Sequence, residues 1–418
     1  MPGAAIRGRW HSLTAGRSPS RLTLAATVFF WMASALSWTL SCLRVDHRFG
    51  SGMGRDLVTV WRAERVFAHG GQPYSLVATG HRVYLYPPSS LLVLRPVALL
   101  SVHETQILGL VATAALAWAT VMVTSAALRR SWWGLTSAVA VFALGWAQPM
   151  VAELSLENVT VLCALGLAAF YLLTTRGHFI AAGAVIGLSL SIKPLLLPVL
   201  VVFLLARKGR ALGIAIVVPA VLNAIAFAVV SHPNQVWSKL PSLLERSGIG
   251  VELNSAWVGV GHVLGLPGFV TILIRIVTVA LAVAGAWWSW RQLTDPATRL
   301  VTTTSVLLIG TFLAGTLSEN HFMLTLVPLA MTVVVPGAPM RRTTGAIGIL
   351  LVMGLTPPGS LLGLNSEANL SAFGAFGMAL LLVTIVVVLG RQHLQVAGGP
   401  ATPAELSARP KALDGTLA

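Results

Sequence analysis

Asp56 lies in "GRDLVTVWRAERVFAHGGQPYS", residues 54–75, in a chain where only 13 of 418 residues are Asp or Glu. A carboxylate among cations suits a specific chemistry: the carboxylate takes a proton from an attacking hydroxyl, and the cations stabilise a departing phosphate. Arg55 and Arg62 share the stretch with Asp56, while Lys193 in "SIKPLLLP", Arg275 inside an apolar run and His321 in "SENHF" are further candidates for holding a phosphate. Each has a plainer reading. Asp at the head of a helix is a favoured N-cap, and it also forms ordinary surface ion pairs. An arginine two turns inside a membrane helix can snorkel to the headgroups, and a histidine in a turn can simply be solvated.

Other polar positions suit a sugar. Tyr84 and Tyr86, around "LYPPSS", could stack on a pyranose or furanose ring, or anchor the chain at the membrane interface. Glu157 and Asn158 in "LEN" are candidate ligands for sugar hydroxyls, or caps of the following helix. Glu319 and Asn320 stand beside His321 with the same potential. The connections between apolar runs carry no HxH, DxD or ExxH spacing, so no metal is expected. The chain also has no phosphate-cradling glycine loop, which disfavours a soluble nucleotide donor. No cofactor is expected.

Apolar helices must position these residues. Hydrophobic residues make up 56% of the chain and charged ones 10%, a balance of an integral membrane protein. Its net charge of +15 sits in short segments between apolar runs, where it reads as a topology signal rather than a nucleic-acid patch. The runs predict an all-α, polytopic transmembrane fold with about 12 membrane helices, within roughly 10 to 13. Residues 1–21 form a basic N-terminus, 22–390 the membrane domain, and 391–418 a polar tail expected to be disordered. The first run, 22–43, lacks a small-residue cleavage site and reads as an uncleaved helix.

Alternate crossings place most arginines on the side of the N-terminus, which the positive-inside rule makes cytoplasmic, as it does the C-terminus. The opposite side receives the longer connections 44–104, 231–267 and 358–370, and with them the candidate residues. Within 44–104, residues 55–68 predict a short juxtamembrane helix stopped by Gly70, Gly71 and Pro73. Residues 89–100 are apolar but too short to span. Lys193 before Pro194 predicts an outer turn, because proline restricts its predecessor and lacks a donor.

The stretches "RDLVTVWRA", "GGQPYS", "YLYPPSSLLVLRPVALL", "SIKPLLLPVLVVFLLARKGRALGIAIVVPAVLNAIAFAVV" and "NSAWVGVGHVLGLP" resemble, in that order, glycosyltransferase family 87. These are polytopic enzymes of actinobacterial envelopes with the GT-C fold. The similarity is greatest to the branch that adds alpha-(1,3)-linked arabinofuranose to arabinogalactan and lipoarabinomannan. A second branch transfers mannose from polyprenol phosphate in phosphatidylinositol mannoside and lipomannan synthesis. The resemblance implies a decaprenyl-phosphate sugar donor, a glycan or glycolipid acceptor and Asp56 as the catalytic aspartate. It aligns Tyr86, Pro87 and Pro88 with a loop motif and Lys193 with the cation after the fifth helix. "SENH" departs from the arabinosyl pattern, since His321 lies where the mannosyl branch carries a histidine.

The expectation is therefore a multi-pass enzyme of the cell membrane, moving a sugar with inversion at its anomeric carbon on the extracytoplasmic side. Asp56 acts as base, and Lys193, Arg275, His321 and the loop arginines Arg55 and Arg62 hold the phosphate. A lipid-linked sugar flippase also needs intramembrane cations and broken helices, but would spread its charges along a path across the bilayer. A polymerase or ligase of lipid-linked glycans, using a diphosphate donor, is a further alternative.

Overall fold

The computed structural model describes residues 20–49, 53–74, 84–234, 236, 254–354 and 367–398. Most of the second long connection, 231–267, lies outside them, as does much of 358–370. The described chain is helical, with an isolated bridge between Asn254 and Glu319. Thirteen helices organise it: α1 (Arg21–Phe49), α2 (Arg55–Ala68), α3 (Val102–Ala127), α4 (Leu135–Gly145), α5 (Gln148–Leu156), α6 (Thr160–Thr175), α7 (Phe179–Ile192), α8 (Gly209–Val229), α9 (Trp257–Val263), α10 (Gly268–Gln292), α11 (Pro296–Ala314), α12 (Thr343–Met353) and α13 (Glu367–Gly398). Two segments, Pro194–Leu205 and Asn320–Val334, mix 3-10 and α turns.

Six helices, α1, α3, α8, α10, α11 and α13, contain stretches long and apolar enough to cross a membrane. Six shorter apolar helices of 10–17 residues coincide with the other expected runs. The chain is thus an all-α, multi-pass membrane protein; among the described residues six helices have the length and composition to cross a membrane, and six shorter apolar ones fall where the rest of the expected 12 or so were placed. α11 sits at the centre, with 78% of its most apolar window buried, whereas only 11% of the corresponding window of α8 is buried. Asp295 starts α11 by accepting from the Thr298 N–H at 2.8 Å, and Pro296 fills the first helical position, where a missing N–H costs nothing. Small residues let the helices touch: a Cβ on Gly183 would lie 2.3 Å from the Ala211 carbonyl oxygen of α8. α13 continues to Gly398, past the expected end of the membrane domain at 390.

α2 lies across one end of this bundle with the bounds its sequence signals predict. Thr59, Val60, Ala63 and Glu64 face inward, while Arg55, Arg62 and Arg65 are exposed. Its stop is built by Gly70 at φ 73° and by the Gly71 N–H bonding to the Val66 carbonyl at 2.8 Å. Residues 90–99 form a helical turn and a 3-10 turn packed on α2 rather than a span. Val60, Ala63, Tyr74, Tyr84, Leu91, Val159 and Ile192 make a small apolar core that ties this cap to the ends of α6 and α7. α3 then begins with a capping box in which Ser101 accepts from the Glu104 N–H and Glu104 accepts from the Ser101 N–H. Glu104, one of the few carboxylates, is accounted for by that cap.

Candidate active site

Asp56 is in the first turn of α2, but it is not the cap. That position belongs to Gly54, at φ 66°, with no side-chain cap bond. Only a glycine fits there: its backbone is left-handed, and a Cβ would sit 2.8 Å from a carboxyl oxygen of Glu157. The half-buried Asp56 accepts instead from across the fold, its Oδ2 taking a hydrogen bond from Asn158 Nδ2 at 2.7 Å. As an acid in the first turn it also sits at the positive end of the helix dipole.

Asn158 is the hub. It follows Glu157, whose φ of 51° turns the chain sharply between α5 and α6. Its Oδ1 accepts from the Thr160 N–H at 3.1 Å, from Thr160 Oγ1 at 2.9 Å and from Lys193 Nζ at 3.1 Å. Lys193 also donates to Thr160 Oγ1 at 2.9 Å. With donors on its oxygen and an acceptor on its nitrogen, the amide has one sensible orientation. One side chain therefore fixes both a carboxylate and an ammonium.

Lys193 is extended, φ −150°, between α7 and the Pro194–Leu205 segment, as the Lys-Pro pair predicts. Its ammonium stands 4.2 Å from the centre of the Phe322 ring and 6.0 Å from that of Tyr86. Two of its three N–H groups are thereby used within the protein, and aromatic faces border the remainder.

The opposite wall is "SENHF". The Ser255 N–H bonds to the Ser318 carbonyl at 2.6 Å, and Asn254 Oδ1 accepts from the Ala256 and Ser318 N–H groups at 2.9 and 2.8 Å. Asn254 Nδ2 donates to the Thr316 carbonyl and Ser255 Oγ to Asn320 Oδ1. Asn320 is thus engaged in holding the wall. His321 is not a solvated turn residue: it is 1% exposed, lies at the start of a 3-10 turn, and its Nε2 is 3.3 Å from Glu319 Oε2. Glu319 is 35% exposed at its side chain and is the open member of that pair.

The remaining candidates separate. Tyr86 borders Lys193, whereas Tyr84 is fully buried, packed between the Tyr74 and Tyr86 rings and hydrogen-bonded to Ser90. Arg275 donates from Nε to the Ala314 carbonyl at 2.7 Å, holding the end of α11 from which the wall departs. Arg55 and Arg62 project from the exposed face of α2. Glu157 is 2% exposed, packed against Gly54 and Gly109, and neither carboxyl oxygen has a hydrogen-bond partner. Burial pushes its pKa up to about 8. Glu64 on α2 shares that fate, also raised to about 8 by burial despite the opposing charge of Arg95.

Four site residues had no signal of their own in the sequence. Thr160 completes the Asn158–Lys193 triangle, Phe322 faces the ammonium, and Asn254 clamps the wall. Glu153, fully buried on α5, accepts from the Val161 N–H at 2.9 Å and so fixes the start of α6. "NSAW" and "LEN" marked the neighbourhoods, but not these contacts. Among the described residues no group of three or more His, Cys, Asp or Glu is placed to hold a metal ion.

The arrangement offers a partly open carboxylate, an ammonium and an imidazole around aromatic surfaces at one end of a membrane bundle. Comparison with known proteins places the chain among its relatives. The family model for Glycosyltransferase family 87 matches residues 84–316. The Alpha-(1->3)-arabinofuranosyltransferase of Mycobacterium tuberculosis is 31% identical over 357 residues, covering 81% of this chain and 79% of its own. The proteins of the same name from Mycolicibacterium smegmatis and Corynebacterium glutamicum are 33% and 29% identical over 270 and 316 residues, covering 62% and 72% of this chain and 61% and 73% of theirs. No solved structure matches the chain.

Proposed function

Because this chain belongs to glycosyltransferase family 87, we propose that it transfers arabinofuranose from decaprenyl phosphate to a cell-envelope glycan, forming alpha-(1,3) branches on the extracytoplasmic side. The observation that carries this reading is the bond chain Asp56–Asn158–Lys193, which sets a base and a cation on one amide. The acceptor hydroxyl attacks the anomeric carbon, its proton passes to the Asp56 carboxylate, and the bond from that carbon to the phosphate oxygen breaks. The electron pair leaves on decaprenyl phosphate, whose growing negative charge Lys193 stabilises. One displacement inverts the anomeric centre.

Tyr86 and Phe322 flank the ammonium and supply faces for a sugar ring; Glu319, at the opening, suits its hydroxyls. The positive-inside rule, applied to the basic connections that the sequence places between the apolar runs, supports cytoplasmic termini and an extracytoplasmic site. On this reading 1–21 and 391–418 flank the membrane domain 22–390. Mannose from the same lipid carrier is the second reading, favoured by one observation, His321 beside Glu319 in the wall.

Purified protein in nanodiscs, given decaprenyl-phosphate arabinofuranose or the mannose analogue with an oligoarabinoside or a mannolipid, tests both. Alpha-(1,3)-linked arabinose in the product is expected. Mannose transfer alone would establish the second reading, and unidirectional lipid movement without product would mark a flippase.

A further inference from the structure

A groove runs along the bundle away from the site. It encloses about 430 Å³ between α4, the Val327–Val334 part of the mixed segment and α12, and Thr136 is the only polar residue in its lining. That volume is in the range of sites for sizeable ligands. On its α4 wall Ala140 and Ala143 stand among Leu135, Val139 and Leu144 and leave a shallow track that continues to Ala147, while Met331 and Met353 supply adaptable side chains opposite. Val139 and Leu350, both lining it, are 38% and 52% exposed, so the groove opens sideways at the depth of the apolar helices.

Two of its walls lead into the charge cluster. Ala147 is the residue before α5, whose nine residues rise about 14 Å to the Glu157–Asn158 corner that holds Asp56. Val327 follows the 3-10 turn Asn320–Leu326, about 14 Å long, which begins with Asn320, His321 and the Phe322 under Lys193. α5 and that turn pack against each other. An apolar track thus ends one short helix away from a phosphate-binding cation, along the two segments that carry the site's walls. α4 itself runs about 17 Å, far longer than a sugar.

We infer that this groove holds the isoprenoid chain of the donor, with its phosphate at Lys193 and the chain descending past α5 and Asn320–Leu326 between α4 and α12. The assignment rests on the proposed use of a polyprenyl-phosphate donor. It gives the donor a fixed direction of approach: the lipid enters sideways from the bilayer through the Val139–Leu350 opening, leaving the end of the bundle to the acceptor.

The test combines labelling with kinetics. Wild-type protein in phosphatidylethanolamine/phosphatidylglycerol nanodiscs is irradiated with decaprenyl phosphate bearing a diazirine in its chain, and labelled peptides are mapped. Labels are expected on α4, Val327–Val334 or α12, and excess unlabelled decaprenyl phosphate should displace them. Ala143→Trp, which fills the track, should lower the kcat/KM ratio of the decaprenyl donor to a two-isoprene analogue at least about tenfold, by removing apolar contact only the longer chain makes. Ala140→Leu is the milder variant if the tryptophan prevents folding, with a smaller change of the same sign. Labelling elsewhere together with an unchanged ratio overturns the inference. So does groove labelling by a phospholipid diazirine that decaprenyl phosphate does not displace, since bulk lipid then fills the track. Displaceable groove labelling in a protein that transfers no sugar leaves the groove assignment standing and refutes the transferase reading instead.

Discussion

Asp56 and Glu157 meet at the same corner of the molecule and end in opposite conditions. Asp56 is half-buried, bonded to Asn158, and through it coupled to Lys193. Glu157, one residue before that asparagine, is sealed between Gly54 and Gly109 with neither oxygen bonded. Both are carboxylic acids beside a membrane, yet their environments give them different chemistry. A partnered, accessible carboxylate remains available as a base, whereas a sealed one is driven towards its neutral form. Position in the packing, more than residue type, assigns the role.

One damaging way to break that contrast is to remove the hub. Asn158→Leu should lower kcat by about 100- to 1000-fold, because it removes the amide bond to Asp56 and leaves a half-buried ammonium short of an acceptor. Steady-state transfer assays on detergent-purified protein read this out. Lys193→Met should cost about as much, and Lys193→Arg should not restore the rate, since a planar guanidinium cannot reproduce a compact ammonium between Asn158 and Thr160.

Glu157 should respond in stability rather than rate. Its folded pKa of about 8 is above its unfolded value of 4.5, so the folded state binds the extra proton between those values and loses stability as pH rises through that window. Glu157→Gln should therefore raise the melting temperature at pH 8, by an amount equivalent to about 1–2 kcal/mol, and leave it nearly unchanged at pH 4.5. Thermal unfolding at the two pH values decides it. Gly109→Ala acts on the same contact in the other direction: the new Cβ would fall 2.3 Å from Glu157 and from Leu57, and should destabilise by about 1–3 kcal/mol. The smallest effects belong to the exposed arginines. Arg55→Ala and Arg62→Ala should change kcat/KM by no more than about threefold, in keeping with solvent-screened charges.

Local signals made part of this legible in the sequence. The end of α2 follows from Gly70, Gly71 and Pro73, and the extended Lys193 follows from Lys-Pro, because such signals act within a few residues. Asp56 was visible as a rare acid in a basic loop, though a cap and a base look alike until Gly54 is seen to hold the cap position. Asn158 read as a helix cap, and it does bond the Thr160 N–H; its second duty depends on residues 102 and 35 positions away, which no local pattern encodes. Tyr84 looked like an interfacial ring and is core, because the first connection folds back and buries it. Arg275 looked like a phosphate ligand, and its observed bond is to the end of α11. Crossing number was the weakest inference, since apolar runs of 10–17 residues mark helices without fixing whether each one spans.

The central claim is that Asp56 removes the acceptor proton. Asp56→Asn keeps the shape and an acceptor oxygen for Asn158 while removing the basic carboxylate. The account predicts that this variant, monodisperse and with an unaltered melting temperature, loses transfer from decaprenyl-phosphate arabinofuranose by at least about 1000-fold while still binding the donor. Transfer at the wild-type rate by the folded Asn variant would contradict it.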